Sequence, residues 1–168
     1  MDRGFSMPEL LVGISVLGVL AGMAFHHGGE ALARQRLEAA TRRLAQGLER
    51  ARSEAQRQGS PCGLSLSGAG WTSPNGGDLA PCERTLDGLK EAVGGGEVAV
   101  VHNLPPALRF SSNGLVLDGG TVVLSTTGTP LRRCLVMALP LGVVRLGRYA
   151  ADPAATPSSA ACEVDPSL

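Results

Sequence analysis

Between Phe5 and Phe25 the chain is apolar apart from Pro8, Glu9 and two serines, and no later stretch restricts its architecture as strongly. As a helix rising about 1.5 Å per residue, this run covers roughly 30 Å, the thickness of a bilayer core. A secretory signal carries its small-residue cleavage site after such a run. Here the small residue, Gly4, comes first. A cut after Gly4 removes only Met-Asp-Arg-Gly and leaves the apolar helix on the mature chain. The sequence therefore predicts a leader at 1–4 and a transmembrane helix at 5–27.

Glu9 is the exception that this helix has to accommodate. A carboxylate within a membrane helix costs about 2.5–3.5 kcal/mol on insertion scales. Its place near the end of the span lowers that cost, and so does the positive N-terminus of the helix. Cleavage would also free an amine at Phe5. That amine is badly placed for its own Glu9 but within reach of Glu9 in an adjacent subunit. The plainer alternative is a headgroup-level glutamate on a simple membrane anchor.

His26-His27-Gly28-Gly29 follows the apolar run. Paired glycines weaken a helix by roughly 1 kcal/mol each relative to alanine, so a flexible or kinked point is expected here. Adjacent histidines point about 100° apart on a helix and make a poor metal pair. An amphipathic helix is expected over 28–59. Leu37, Leu44, Leu48, Ala51 and Ala55 recur at helical spacing, with most charges elsewhere, and Gly59-Ser60-Pro61 stops it.

Beyond Pro61 the apolar period becomes two. Strands are expected at 63–67, 97–102, 108–110, 115–117, 121–125, 133–138 and 143–148, with turns at Asn113-Gly114 and Asp118-Gly119-Gly120. Residues 68–96 read as a long loop with a short helix near 86–92. The expected class is α+β: a long N-terminal helix packed on an antiparallel β domain at 60–150, then an irregular tail at 151–168. Aromatic residues are only 3% of the chain, so the core must come from Leu, Val and Ala.

Cys62, Cys82, Cys134 and Cys162 form no C-x-x-C pair, which weakens zinc and thioredoxin-like readings. Four dispersed cysteines behind an export segment favour disulfides, with Cys62–Cys82 and Cys134–Cys162 preferred among three connectivities because each closes a short loop. Four buried free thiols are the alternative. No catalytic constellation, cofactor motif or calcium-loop spacing is present in the sequence, and the expected role is not enzymatic. A net charge of zero excludes a polycation. The feature above background is basic: Arg132, Arg133, Arg145 and Arg148 fall in the last predicted hairpin, and Asp118 is the only acid between Phe110 and Tyr149. Four guanidiniums on neighbouring strands suit phosphate contact, against ordinary exposed arginines or subunit contacts.

The run Gly4-Phe5-Ser6-Met7-Pro8-Glu9-Leu10-Leu11-Val12 resembles the cleavage and methylation signal of type IV pilins and type II secretion pseudopilins, usually written G-F-T-L-I-E. Ser6, Met7 and Pro8 are mild departures. Leu108–Gly114, Gly120–Leu124 and Arg133–Met137 resemble the FimT/GspH branch of minor pilins. The resemblance implies cleavage after Gly4 by a prepilin peptidase, N-methylation at Phe5, and Glu9 in assembly. It implies other pilin subunits and an inner-membrane assembly platform as partners. It places the chain in the bacterial inner membrane with its head in the periplasm, then in a pilus or pseudopilus filament. Some FimT-like pilins bind DNA during natural transformation through a C-terminal Gly-Arg-x-Arg segment. The matching stretch here, Gly142-Val143-Val144-Arg145, lacks the first arginine, so DNA uptake is the alternative function.

Overall fold

A computed structural model of the chain describes residues 6–75, 79–82, 98–139, 141–152 and 155–165, with only the backbone for 23–27. It contains one α-helix, α1 (Met7–Gln58), then strands β1 (Cys62–Ser67), β2 (Gly70–Thr72), β3 (Val98–His102), β4 (Leu108–Phe110), β5 (Gly120–Thr126), β6 (Arg132–Ala138), β7 (Val143–Tyr149) and β8 (Cys162–Val164). A 3-10 turn, Ser159–Ala161, precedes β8. The chain divides into two compact units, 1–32 and 33–168.

In the first unit, α1 begins where Ser6 caps it. The Ser6 carbonyl accepts the Leu10 amide, and Glu9 reaches back to the Ser6 amide at 2.9 Å. This Ser-x-x-Glu arrangement satisfies the Ser6 amide at the helix start. Helical structure continues through Gly28 and Gly29, so the glycine pair does not end the helix. Backbone hydrogen bonding carries those two residues even though each is a weak helix former. Among the described residues no helix is long and apolar enough to cross a membrane. The described side chains of the apolar run stop at Gly22, short of the roughly 20 residues that a span requires.

In the second unit, α1 lays an apolar stripe on two antiparallel sheets. The stripe is Ala33, Leu37, Ala40, Leu44, Leu48, Ala51 and Ala55, all buried, and it includes every residue that the sequence pattern placed there. One sheet has the order β2-β1-β4 and the other β3-β5-β6-β7-β8. Leu64, Leu108 and Phe110 from the first and Val122, Leu124, Leu135 and Met137 from the second join the helix in one core. Burying such a side chain contributes about 1.5–3 kcal/mol, so the helix–sheet seam dominates the stability of this unit. Trp71 closes one part of it: its indole Nε1 donates to the Leu44 carbonyl at 2.9 Å. A Cβ at Gly47 would overlap that ring, so only glycine lets the indole lie against the helix. Gly59, at φ 62°, ends α1 in the left-handed region that favours glycine.

Three sequence expectations need correction. Residues 115–117 form no strand; Val116 makes an isolated bridge with Phe110, flanked by the Ser111 amide donating to the Leu115 carbonyl and the Leu117 amide to the Arg109 carbonyl, and the pairing goes no further. The loop after β1 contains β2, which pairs with β1 as a hairpin. The tail is not irregular throughout, since β8 pairs with Gly147–Tyr149 of β7. The helix expected near 86–92 lies outside the described residues.

Candidate functional site

The first unit offers an unusual surface. Met7, Leu10, Leu11, Val12, Ile14, Val16, Leu17, Val19 and Leu20 are all more than half exposed. A helix apolar on every side belongs inside a larger assembly or a membrane rather than in water. At its start stands Glu9. The Ser6 hydroxyl donates to Glu9 Oε2 at 2.9 Å, in addition to the Ser6 amide, so one carboxylate oxygen collects two hydrogen bonds from the residue that caps the helix. The other oxygen keeps its acceptor capacity. Sequence reading tied Glu9 to the helix N-terminus and to the amine of an adjacent subunit; the Ser6-x-x-Glu9 spacing was the signal that its carboxylate also reaches back to the Ser6 amide, one half of a capping box. Gly4 and Phe5 lie outside the described residues.

The four arginines of the last hairpin do not form one patch. Strand pairing puts Arg133 opposite Arg148 and Arg145 opposite Val136. Arg132 stands opposite Ser125. Alternation along a strand then sends Arg133 and Arg148 to the helix-facing side and Arg132 and Arg145 to the other side. Arg133 is 3% exposed. Its Nη2 donates to Glu38 at 2.8 Å and its Nη1 to Asp165 at 2.6 Å. Burial acts to lower its pKa, but the hydrogen bonds to Asp165 and Glu38 outweigh it and the net shift is upward. Arg133 therefore ties α1, β6 and the C-terminal segment together and is not available to phosphate. Arg132 donates to the Ala151 carbonyl at 2.9 Å, which leaves Arg145 and Arg148 as the exposed pair, on opposite faces.

Cys62 is bonded to Cys82 and Cys134 to Cys162, the preferred pairing. The second bond lies in a small cluster on the outer face of the five-stranded sheet, with Val123, Val136 and Tyr149. It holds β8 beside β7. Among the described residues no group of His, Cys, Asp and Glu is placed to hold a metal ion.

The loop between β4 and β5 is held by charge. Arg109 meets Asp118 with two side-chain hydrogen bonds, Nε to Oδ2 at 2.8 Å and Nη2 to Oδ1 at 2.9 Å. These bonds hold the Asp118 carboxyl below its ordinary pKa, against a smaller opposing effect of burial. A depressed carboxylate contributes stability that is present above its unfolded pKa, about 3.9, and is lost as pH falls through the folded value. The stability difference between the native chain and Asp118→Asn is thus expected at pH 7 and should vanish in acid unfolding curves below that range. Because Arg109 is half exposed, added salt should shrink it as well.

Comparison with known proteins gives two matches. A family model described as "Type II transport protein GspH" matches residues 40–140, which run from within α1 through β6 and leave out β7 and β8. A second, described as "Prokaryotic N-terminal methylation motif", matches residues 1–25, which contain Glu9 and the exposed apolar helix. No curated protein and no solved structure was found to match the chain. With an N-terminal methylation motif ahead of a helix-on-sheet head, the chain belongs to the GspH family of minor pseudopilins and pilins.

Proposed function

We propose that the chain is a minor subunit of a type II secretion pseudopilus, cleaved after Gly4, methylated at Phe5 and built into the filament through α1. The carrying observation is the continuous apolar surface of Met7–Leu20, without a partner within the described residues and headed by a carboxylate fixed at the helix start. Before assembly the same surface suits the inner membrane, with residues 5–27 as the anchor and the head in the periplasm. In the filament, neighbouring subunits would cover it. Glu9, with one oxygen held by Ser6, presents the other to the new amine of an adjacent Phe5. The partners in this reading are a prepilin peptidase, an inner-membrane assembly platform and other pseudopilins, and the role is structural.

Mass spectrometry of the mature protein tests it. The expected N-terminus is methylated Phe5, and a Gly4→Leu chain should keep residues 1–4. Glu9→Ala should still enter the membrane yet be recovered in sheared filaments at about a tenth of the native level or less. Native-level incorporation of Glu9→Ala, or a mature chain starting elsewhere, overturns the proposal. For the DNA-uptake alternative, Arg133 is buried while Arg145 and Arg148 stay exposed on two faces, and salt-dependent DNA binding by the chain that charge reversal at Arg145 and Arg148 weakens would favour it.

A further inference from the structure

An asparagine followed by glycine is a chemically unstable pair. The next backbone nitrogen attacks the carboxamide carbon, and glycine has no side chain to obstruct it. Asn113-Gly114 is such a pair, in the loop after β4. The Gly114 amide donates to the Ser111 carbonyl at 2.8 Å, and the Ser111 amide to the Leu115 carbonyl at 2.9 Å. Among the described residues no non-glycine has a positive φ, so Asn113 is the second central residue of a type I turn. Gly114 follows at φ 73°. A Cβ there would lie 2.6 Å from Gln56 Nε2 and would be strained by that φ as well. The fold therefore fixes the glycine that makes the pair unstable.

The end of α1 restrains the same pair. Ring closure brings the Gly114 nitrogen to Asn113 Cγ. The peptide between them must first swing until its nitrogen eclipses the Asn113 Cβ, far from the ψ of roughly 0° usual at this turn position. Both ends of that peptide are held. The Asn113 carbonyl accepts from Gln56 Nε2 at 3.1 Å, and the Gly114 amide is bonded to Ser111. One peptide further on, the Gly114 carbonyl accepts from Arg52 Nε at 3.0 Å, while Arg52 Nη2 donates to the Leu141 carbonyl. The bonded Gly114 amide also resists losing the proton that it must give up. Asn113 itself is exposed, so water and base reach it.

We propose that Asn113 is a deamidation site latched by the C-terminal end of α1. While Gln56 and Arg52 hold the turn, the reaction is suppressed. When α1 leaves the turn, the Gly114 amide gives its proton to a base in the solvent and its nitrogen bonds to Asn113 Cγ. Ammonia leaves that carbon, and a succinimide remains. Water then opens the ring at either carbonyl, giving aspartate or isoaspartate at position 113. One water is consumed and one ammonia released. Isoaspartate adds a carbon to the backbone of a loop closed by the Ser111–Leu115 bond, so the product is a lasting mark that helix and turn have separated. The proposal concerns the head alone and stands apart from the filament reading.

The test incubates the full chain in detergent micelles in mildly alkaline buffer. Peptide mapping by mass spectrometry follows Asn113, with the aspartate and isoaspartate products separated by chromatography. Asn75-Gly76, the other such pair in the chain, sets the unrestrained rate in urea. Product at Asn113 is expected at least about tenfold faster in urea than in the folded chain, because unfolding removes the latch. Gln56→Ala should speed the folded-state reaction about fivefold, the effect of one lost hydrogen bond. Gln56 is exposed, and Trp71 emission reports that the variant is folded. Should it unfold, Arg52→Gln decides by the same criterion. No product at Asn113 in urea, a folded rate equal to that in urea, or a folded variant no faster than native overturns the proposal.

Discussion

Arg133→Ala is expected to cost the head about 3–5 kcal/mol, the range found when one member of a buried ion pair is removed. The guanidinium is 4% exposed and joins two carboxylates, one on α1 and one beyond β8. Its loss leaves Glu38 and Asp165 without their shared cation and opens a gap in the helix-facing layer beside Leu135. Urea unfolding followed by Trp71 fluorescence measures the effect, since that indole is buried against Leu44 and Gly47. Replacing all three residues by Leu or Met should recover much of the loss, because no charge is then stranded. A single variant within 1 kcal/mol of native would mean that the ions are better solvated than their burial implies.

Removing the second cross-link is expected to be comparably severe. Cys134 and Cys162 are 28 residues apart, and closing a loop of that length stabilises by about 3–4 kcal/mol in the chain-entropy model. The Cys134→Ala, Cys162→Ala chain should show that loss in the same titration. It should also be non-additive with Arg133→Ala, because Asp165 follows Cys162 by three residues and the bond helps hold it at Arg133. The Cys62–Cys82 bond encloses a separate loop, so its removal should add to Arg133→Ala nearly independently.

The sequence exposed most of the helix stripe, since a 3.6-residue period survives in Leu37, Leu44, Leu48, Ala51 and Ala55 whatever they pack against, but it left out Ala33 and Ala40. Strands of five to seven residues were legible for the same reason. β2 and β8 were not: Gly70-Trp71-Thr72 sits among turn formers and Cys162-Glu163-Val164 follows a Pro/Ala/Ser-rich stretch, whereas β4, equally short, was marked by Leu108 and Phe110 flanking Arg109. The sequence reading grouped the arginines by charge without parity. Arg132 and Arg133 are neighbours and Arg145 and Arg148 are three apart, so each pair must straddle a strand. That much was in the spacing. The burial of Arg133 was not, since its partners come from 95 and 32 residues away.

Both cross-links lie within the β part of the head, and neither includes a residue of α1. A filament subunit pulled along its axis would pass that load from α1 to the sheets through side-chain packing, the Glu38–Arg133 contact and hydrogen bonds such as Trp71 to Leu44 and Arg52 to Gly114, plus the short covalent link at Gly59–Pro61. Under tension the helix can shear from the sheets while each β portion stays covalently closed. Rupture would begin as sliding at the leucine seam, and the cross-linked sheets would remain able to receive the helix again when the load is released.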